Sequence, residues 1–216
     1  MSIRIVLADD HVIVRDGLRS LLEQQADMRV VAEAADGLEA VRVAGDTQPD
    51  VVVMDASMPS LNGIEATRRI RAQYPNVRVI CLSIHSESQF VSAMLEAGAS
   101  GYLLKDCAIE ELIRAIRTVL ADQVYISPGI GRVVADHFKA GSDEPIVSVF
   151  SVLTDRERAV LQMLAEGHST KEVGARLNLS AKTIASHREH IMQKLGIWSI
   201  AGLTKYAIQQ GLTSLE

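Results

Sequence analysis

Five polar side chains come at the ends of four apolar runs in the first half of the chain. Asp9 and Asp10 follow the first run, Asp55 follows another, Ser83 ends the next and Lys105 follows GYLL. One aspartate after a strand is common turn chemistry. Three carboxylates held together disfavour joint ionisation unless a cation lies among them, and such oxygen ligands suit Mg²⁺. The hydroxyl and the ammonium group add partners for phosphate, so these residues predict a site for a divalent cation and a phosphoryl group.

The elements that would position these residues alternate strictly between strand and helix. Apolar runs predict strands at 3–8, 29–33, 50–54, 77–83 and 101–104, and helical patterns follow at 14–23, 38–44, 64–72, 89–97 and 109–120. This alternation predicts an α/β fold, a doubly wound five-stranded parallel sheet with helices on both faces. Right-handed crossovers place the carboxyl ends of all five strands on one edge, where ligands bind in open sheets.

Composition excludes several classes of protein. The chain has 216 residues, 48% of them hydrophobic, and a net charge of -5, which excludes intrinsic disorder. Two cysteines exclude a disulfide framework and a zinc cluster of cysteine pairs. No apolar run approaches the roughly 18 residues of a membrane span, and the N-terminus lacks the features of a signal peptide. We therefore expect a soluble, cytoplasmic protein with no membrane partner.

The second half of the chain differs in both charge and pattern. Residues 1–127 carry 12 Lys and Arg against 18 Asp and Glu, whereas residues 150–216 carry 8 against 6. This change of sign favours an acidic domain joined to one that faces nucleic acid. We predict a domain at 1–127, a linker with a short helix at 128–150, and an all-helical domain at 151–216. Its four predicted helices span 155–165, 170–177, 181–195 and 200–209, and the first two begin with capping boxes.

The second and third of these helices have the spacing of a helix-turn-helix, which lays its second helix in the major groove of DNA. On that helix, Ile184, Ile191 and Leu195 share one face and are expected to pack inward. The opposite face carries Lys182, Ser186, Glu189 and Gln193 as the groove-facing set, with Arg188 and Lys194 toward the edges, where phosphate lies. These polar residues could equally be a solvated helix face, and the small positive charge of this region does not decide between the two.

The first half resembles the receiver domain of two-component response regulators, which is flavodoxin-like. The matching segments are LADDH at 7–11, VVVMDASMP at 51–59, Asn62-Gly63, Ser83 and GYLLKD at 101–106. The resemblance implies that Asp55 accepts a phosphoryl group from a sensor histidine kinase. It also implies that Mg²⁺ (or Mn²⁺) is held by Asp10, Asp55 and the carbonyl of Ser57, with Asp9 acting through water. Lys105 would pair with the phosphoryl oxygens, Ser83 would swing toward them, and Tyr102 would turn inward behind it.

Residues 153–197 resemble the LuxR-type helix-turn-helix of NarL/FixJ regulators. The matching residues include Leu153-Thr154, Thr183-Ile184 and Lys194-Leu195-Gly196. Many relatives have a basic residue where Ala185 stands, and the usual arginine near Trp198-Ser199-Ile200 is absent. The resemblance implies a homodimer on activation, promoter DNA and RNA polymerase as partners, and a dimer contact through Ile200, Leu203 and Ala207, which we expect to be exposed. The DNA-contacting residues that we predict are Lys171, Lys182, Thr183, Ala185, Ser186, His187, Arg188, Glu189 and Lys194.

Three other functions are alternatives to a phosphorylation-switched transcription factor. A Mg-dependent aspartyl-phosphate phosphohydrolase of the haloacid-dehalogenase type needs a second aspartate two residues after the nucleophile, and Ser57 stands there. A dinucleotide-binding domain needs a glycine-rich turn after the first strand, and ADDHVIV follows instead. A phosphorylation-independent DNA-binding regulator is disfavoured because every residue of the predicted pocket is present. We therefore predict a non-enzymatic regulator switched at Asp55.

Overall fold

A six-stranded, fully parallel sheet forms the first half of the protein, in the order β2-β1-β3-β4-β5-β6. The computed structural model describes residues 2–131 and 152–213. The predicted parallel α/β fold is confirmed, and the sheet adds a sixth strand at the edge next to β5. This sixth strand has only two residues, which are too few to show a strand periodicity in the sequence. The strands are β1 (Ile3–Ala8), β2 (Met28–Ala34), β3 (Val51–Asp55), β4 (Arg78–Ser83), β5 (Gly101–Leu104) and β6 (Tyr125–Ile126).

Successive strand residues face opposite sides, so both faces of the sheet are apolar and covered by helices. Ile5 and Leu7 pack with Leu22 and Leu112 on the α1 and α5 side. Val6 belongs to the opposite core, together with side chains from α2 and α3. The helices are α1 (Val12–Leu22), α2 (Gly37–Thr47), α3 (Gly63–Gln73), α4 (Ser88–Glu96) and α5 (Ile109–Leu120).

Four helices around one aliphatic core form the second half. Their bounds agree with the predicted ranges because each start carries a strong local capping signal. Thr154 and Glu157 form a capping box, as do Ser169 and Glu172, and the Ser180 side chain accepts the Thr183 N–H. The helices are α6 (Asp155–Ala165), α7 (Thr170–Leu177), α8 (Ala181–Leu195) and α9 (Ile200–Gln209).

The segment between the two halves is only partly described. One helical turn covers 128–131, and the remainder of the predicted linker and of its predicted short helix lies outside the described residues. Among residues 2–131 and 152–213, no helix has both the length and the apolar character that crossing a bilayer requires.

Candidate functional site

The carboxyl edge of the sheet brings three of the predicted residues into direct contact. Nζ of Lys105 lies 2.7 Å from Oδ2 of Asp9 and 2.8 Å from Oδ2 of Asp55. These residues follow or end β1, β3 and β5, which lie close together in the sheet, so distant parts of the chain meet here. One ligand atom each from Asp9, Asp10, His11 and Asp55 lies within 4.8 Å of the others.

Burial sets the electrostatics of this acidic pocket. Only 4% of Asp55 is exposed. Loss of hydration raises the pKa of Asp55 from 3.8 to about 6, although the Lys105 ammonium opposes that rise. Burial alone would lower the pKa of Lys105, but Asp55 and Asp9 outweigh it and the pKa is raised. The pocket therefore keeps its cation charged while making a negative charge on Asp55 costly.

The chemistry of the donor set fits a hard divalent cation. Asp9, Asp10 and Asp55 offer carboxylate oxygens, which Mg²⁺ and Mn²⁺ prefer. Oδ1 of Asp10 is buried and accepts no hydrogen bond from a described residue, although Nδ1 of His11 lies 2.8 Å away. The pKa of His11 is raised, chiefly by Asp10 and also by Asp9. The carboxylates of Asp9 and Asp10 favour the protonated form of His11. A bound cation would neutralise the same negative charge.

The loop after Asp55 is held close to the strand that precedes it. The Ser57 N–H donates to Oδ1 of Asp55 at 3.3 Å, and the Gly63 N–H donates to the carbonyl of Ala56 at 2.9 Å. A Cβ on Gly63 would clash with the backbone carbonyl of Asp55, so only glycine permits this approach. The loop thereby keeps Ser57, the predicted carbonyl ligand, beside the acidic pocket.

Ser83 and Tyr102 are fully buried and are both bonded to His85, a residue that sequence reasoning missed. The His85 N–H donates to Oγ of Ser83 at 3.0 Å, and the Tyr102 hydroxyl donates to the His85 carbonyl at 2.8 Å. Nε2 of His85 lies 3.1 Å from Oγ of Ser57, and its ring stacks on Phe90 at 4.3 Å. Tyr102 is buried without a phosphoryl group, so its inward movement on phosphorylation stays a prediction, and His85 connects it to the pocket rim.

The second predicted site is the outer face of α8. Ile184 and Ile191 are buried and Leu195 is half-buried, as expected for the inward face. The four residues of the predicted groove-facing set are exposed: Lys182, Ser186, Glu189 and Gln193. Among the other residues predicted to contact DNA, Lys171, Thr183 and Lys194 are exposed, and Ala185, His187 and Arg188 are half-buried.

Two details of this half differ from expectation. The predicted exposure of Leu203 and Ala207 is wrong, because both are buried in the core that α9 shares with the other three helices. Ile200 remains 43% exposed, so the dimerisation role of this helix stays a prediction that rests on it. Nζ of Lys194 lies 2.7 Å from Oε2 of Glu157 in the α6 capping box, which gives this lysine an internal partner.

The contact between the two halves was not predicted. The Arg158 side chain of α6 is 2% exposed and lies 2.7 Å from Oε1 of Glu65 in α3. Gln162, one turn later, bonds the loop after Asp55. Arg158, Gln162 and Glu166 are polar residues four positions apart, a stripe on α6 that could have indicated a second packing face.

Comparison with known proteins agrees with this geometry. The family model described as "Response regulator receiver domain" matches residues 5–117, and that described as "Bacterial regulatory proteins, luxR family" matches 151–207. The oxygen regulatory protein NreC of Staphylococcus aureus (strain JH9) is 37% identical over 213 residues, covering 97% of this chain and 98% of that protein.

Solved structures give the same result. A two-component response regulator of the LuxR family from Aurantimonas sp. SI85-9A1 is 44% identical, with a TM-score of 0.62 over 64% of this chain and 99% of that one. RcsB from Salmonella enterica serovar Typhimurium, bound to promoter P1flhDC with the phosphomimetic BeF3-, is 28% identical. Its TM-score is 0.62, and the match covers 99% of this chain and all of the other.

Proposed function

Because this chain belongs to the two-component response regulators that join a receiver domain to a LuxR-type DNA-binding domain, we propose that Asp55 is the phosphoacceptor that switches it. The observation that carries this proposal is the contact of Lys105 with both Asp9 and Asp55 at the carboxyl edge of the sheet. In this proposal the carboxylate of Asp55 is the nucleophile, and the Lys105 ammonium beside it is a cation suited to phosphoryl oxygens.

In the proposed reaction, a carboxylate oxygen of Asp55 attacks the phosphorus of a phosphohistidine on the sensor kinase. The new P–O bond forms as the P–N bond breaks, and the imidazole leaves with the electron pair. Lys105 stays within reach of the transferred oxygens and neutralises part of their charge. Asp9, Asp10 and Asp55, with the carbonyl of Ser57, would hold Mg²⁺ or Mn²⁺. When bound, that ion supplies charge neutralisation for the phosphoryl group.

The product adds about -1.5 to -2 charges and three acceptor oxygens to the pocket. We propose that the Ser83 hydroxyl turns toward these oxygens and thereby gives up the His85 N–H that it now accepts. Ser57 stands where a phosphohydrolase of the haloacid-dehalogenase type needs a second aspartate as general acid, so that acid is missing here. We therefore infer a regulator rather than a phosphohydrolase.

The partners in this proposal follow from the two domains. A sensor histidine kinase supplies the phosphoryl group, and double-stranded promoter DNA takes the exposed face of α8. A homodimer formed on activation would read two half-sites about one helical turn apart, and RNA polymerase would receive the signal. We propose that all of this takes place in the cytoplasm.

The test is DNA binding with and without a phosphoryl donor, in wild type and in Asp55→Asn. We expect the donor to raise the affinity of wild type and to leave the variant unchanged. Equal binding in all four conditions would remove the switch while leaving the family assignment intact.

A further inference from the structure

One acidic side chain on the outer face of α8 has no partner within the described chain. Glu189 is exposed, and no hydrogen bond or ion pair joins its side chain to another residue of 2–131 or 152–213. Four uncharged residues lie three and four positions away on the helix, where a partner would be: Ala185, Ser186, Met192 and Gln193. Pairing along the helix therefore does not explain this carboxylate.

The other acidic side chains described in the helical domain each have a structural partner. Asp155 pairs with an arginine of its own helix, α6. Glu157 and Glu172 complete the capping boxes of α6 and α7. Glu166 accepts a backbone N–H from the receiver at 3.1 Å. Glu189 is the exception, so its two acceptor oxygens are available to a donor from outside the chain.

Glu189 lies within the stripe of α8 that is predicted to enter the major groove. The stripe consists of four residues at spacings of four, three and four: Lys182, Ser186, Glu189 and Gln193. These spacings place them along one line of the helix surface, with about 10 Å of helix between Glu189 and Lys182. A helix about 10–12 Å across fits the major groove, which is about 12 Å wide. The middle of its outer face then meets base edges, whereas its flanks meet phosphates.

An ionised carboxylate only accepts hydrogen bonds, and this limits the bases that it can bind. In the major groove guanine presents two acceptors, and thymine presents an acceptor and a methyl group. Adenine offers an amino donor beside an acceptor, whereas cytosine offers its N4 amino group alone. Guanine and thymine would therefore repel Glu189, adenine would repel it in part, and cytosine would bind it.

The negative charge of Glu189 also opposes binding to DNA of any other sequence. A carboxylate between two rows of negatively charged phosphates is repelled by both. Entry into the groove removes water from its oxygens, which costs free energy unless a donor replaces that water. The carboxylate thus lowers the affinity for most duplexes and lowers it least where cytosine faces it. Such a group contributes discrimination between sequences rather than affinity.

We propose that Glu189 selects cytosine at one position of each half-site, by accepting a hydrogen bond from its N4 amino group and by repelling the other bases. This inference rests on the proposed function in one respect, namely that the outer face of α8 enters the major groove. Because base pairing fixes the opposite strand, one such contact specifies a C·G pair in one orientation. Two chains related by a twofold axis would place this cytosine once in each half-site.

The test is selection of bound sites from a library of random-sequence duplexes, with the full chain and a phosphoryl donor. Glu189→Gln and Glu189→Ala both remove the charge, and both new residues are good helix formers, so α8 should stay intact. Asp46→Asn removes one negative charge from an exposed site of the receiver and is the charge-matched control. Titrations with a selected duplex and with a duplex of unrelated sequence separate specific from non-specific affinity.

We expect wild type and Asp46→Asn to prefer cytosine to the other bases at one position by at least about tenfold. Glu189→Gln should change that preference to adenine, because a glutamine amide bonds both N6 and N7 of adenine. Glu189→Ala should show no preference at this position. Both Glu189 variants should bind the unrelated duplex about threefold more tightly, since one repulsive charge is gone.

The inference is overturned if Glu189→Ala selects the same sites as wild type, or if the sites selected by wild type contain no fixed cytosine. It is also overturned if the variants gain affinity equally for both duplexes, because Glu189 would then only repel phosphate. Loss of the proposed switch would give a different result. Wild type would then bind the same cytosine-containing site equally well with and without the phosphoryl donor, and the role of Glu189 would stand.

Discussion

The acidic pocket and the outer face of α8 are the two proposed functional surfaces of this protein, and they are built in opposite ways. The pocket gathers Asp9, Asp55 and Lys105 from three strands, and Asp9 and Asp55 are almost fully buried. The face of α8 comes from one continuous helix, and its polar residues are exposed. Single changes in the pocket should therefore have large, coupled effects, whereas single changes on α8 should have small and nearly additive ones.

The sharpest test of this contrast is Asp55→Asn. Removing the attacking carboxylate should lower phosphoryl incorporation from an activated kinase by about a thousandfold or more, because Asp55 is the proposed nucleophile. Incorporation of radiolabelled phosphate measures it. Asp46→Asn, an exposed aspartate that pairs with Arg42, is the control and should be labelled like wild type. Labelling of Asp55→Asn at the wild-type rate would show that the phosphoacceptor lies elsewhere.

The same substitution should stabilise the metal-free protein in a pH-dependent way. Burial raises the pKa of Asp55 from 3.8 to about 6 in the folded state. A carboxyl group whose pKa is raised by folding contributes stability below its unfolded pKa, and that contribution is lost as the pH rises through the folded value. Relative to wild type, Asp55→Asn should therefore gain stability between about pH 4 and 6, reaching at most about 3 kcal/mol above that range.

Urea unfolding of both proteins in EDTA between pH 4.5 and 8 measures this difference. Saturating Mg²⁺ at neutral pH should reduce the stability difference between the two proteins. The ion would bind the folded wild type, which keeps the Asp55 carboxylate, and would thereby stabilise it. A stability difference that does not vary with pH would contradict the buried-charge explanation.

Coupling within the pocket is the next largest effect expected. Lys105→Met leaves the carboxylates of Asp9 and Asp55 without their cation, so it should destabilise wild type. In the Asp55→Asn background the same change should cost less, by about 2 kcal/mol. A double-mutant cycle by urea unfolding at pH 7.5 gives this coupling energy. Additive free energies would mean that the two side chains do not interact in solution.

The contrast between the acidic pocket and the helical domain also explains which features could be predicted from the sequence. The acidic pocket could be predicted because parallel strands put their carboxyl ends on one edge, so strand ends alone selected Asp9, Asp10, Asp55 and Lys105. The same rule selected Ser83, whose hydroxyl accepts the His85 N–H and whose role toward a phosphoryl group stays a prediction. The bounds of α6 to α9 could be predicted because capping is local. The burial of Leu203 and Ala207 could not be predicted, because their i, i+4 spacing fits a stripe that faces solvent as well as one that faces the core.

The stripe of Arg158, Gln162 and Glu166 indicates a packing face, but the sequence does not identify the partners in the contact between the two halves, for a related reason. Arg158 and Gln162 are polar, and polar residues on an amphipathic helix normally face water. Their burial depends on Glu65 and Asn62, about 100 positions earlier in the chain. No local pattern records that pairing. His85 was missed similarly, since its role comes from backbone bonds to Ser83 and Tyr102.

A smaller effect is expected on α8. Lys182→Ala should weaken binding to any duplex by about 1 kcal/mol and reduce the slope of log affinity against log salt by about one. Binding titrations at several salt concentrations measure both. Lys205→Ala, an exposed lysine on α9, is the control for loss of charge alone. An unchanged salt slope in Lys182→Ala would favour the alternative that the outer face of α8 is merely solvated.

The smallest effect concerns Lys194, a residue of α8 that has two alternative roles, a phosphate contact and a partner of the α6 capping box. If Lys194 contacts DNA phosphate, Lys194→Ala should lower the DNA affinity and the salt slope as Lys182→Ala does. The structure instead gives Lys194 a partner, because Nζ lies 2.7 Å from Glu157. Burial would raise the pKa of Glu157, but hydrogen bonds from Lys194 and Thr154 outweigh it and hold that pKa below its usual value.

A carboxylate whose pKa is lowered in the folded state contributes stability that is lost as the pH falls, so Lys194→Ala should cost stability at pH 7 and little at low pH. Since Lys194 is 40% exposed, solvent screening limits the loss to less than about 1 kcal/mol. Urea unfolding at two pH values and the salt slope of DNA binding separate the alternatives. A reduced salt slope with unchanged stability would assign Lys194 to the DNA surface, and the opposite result would assign it to the capping box of α6.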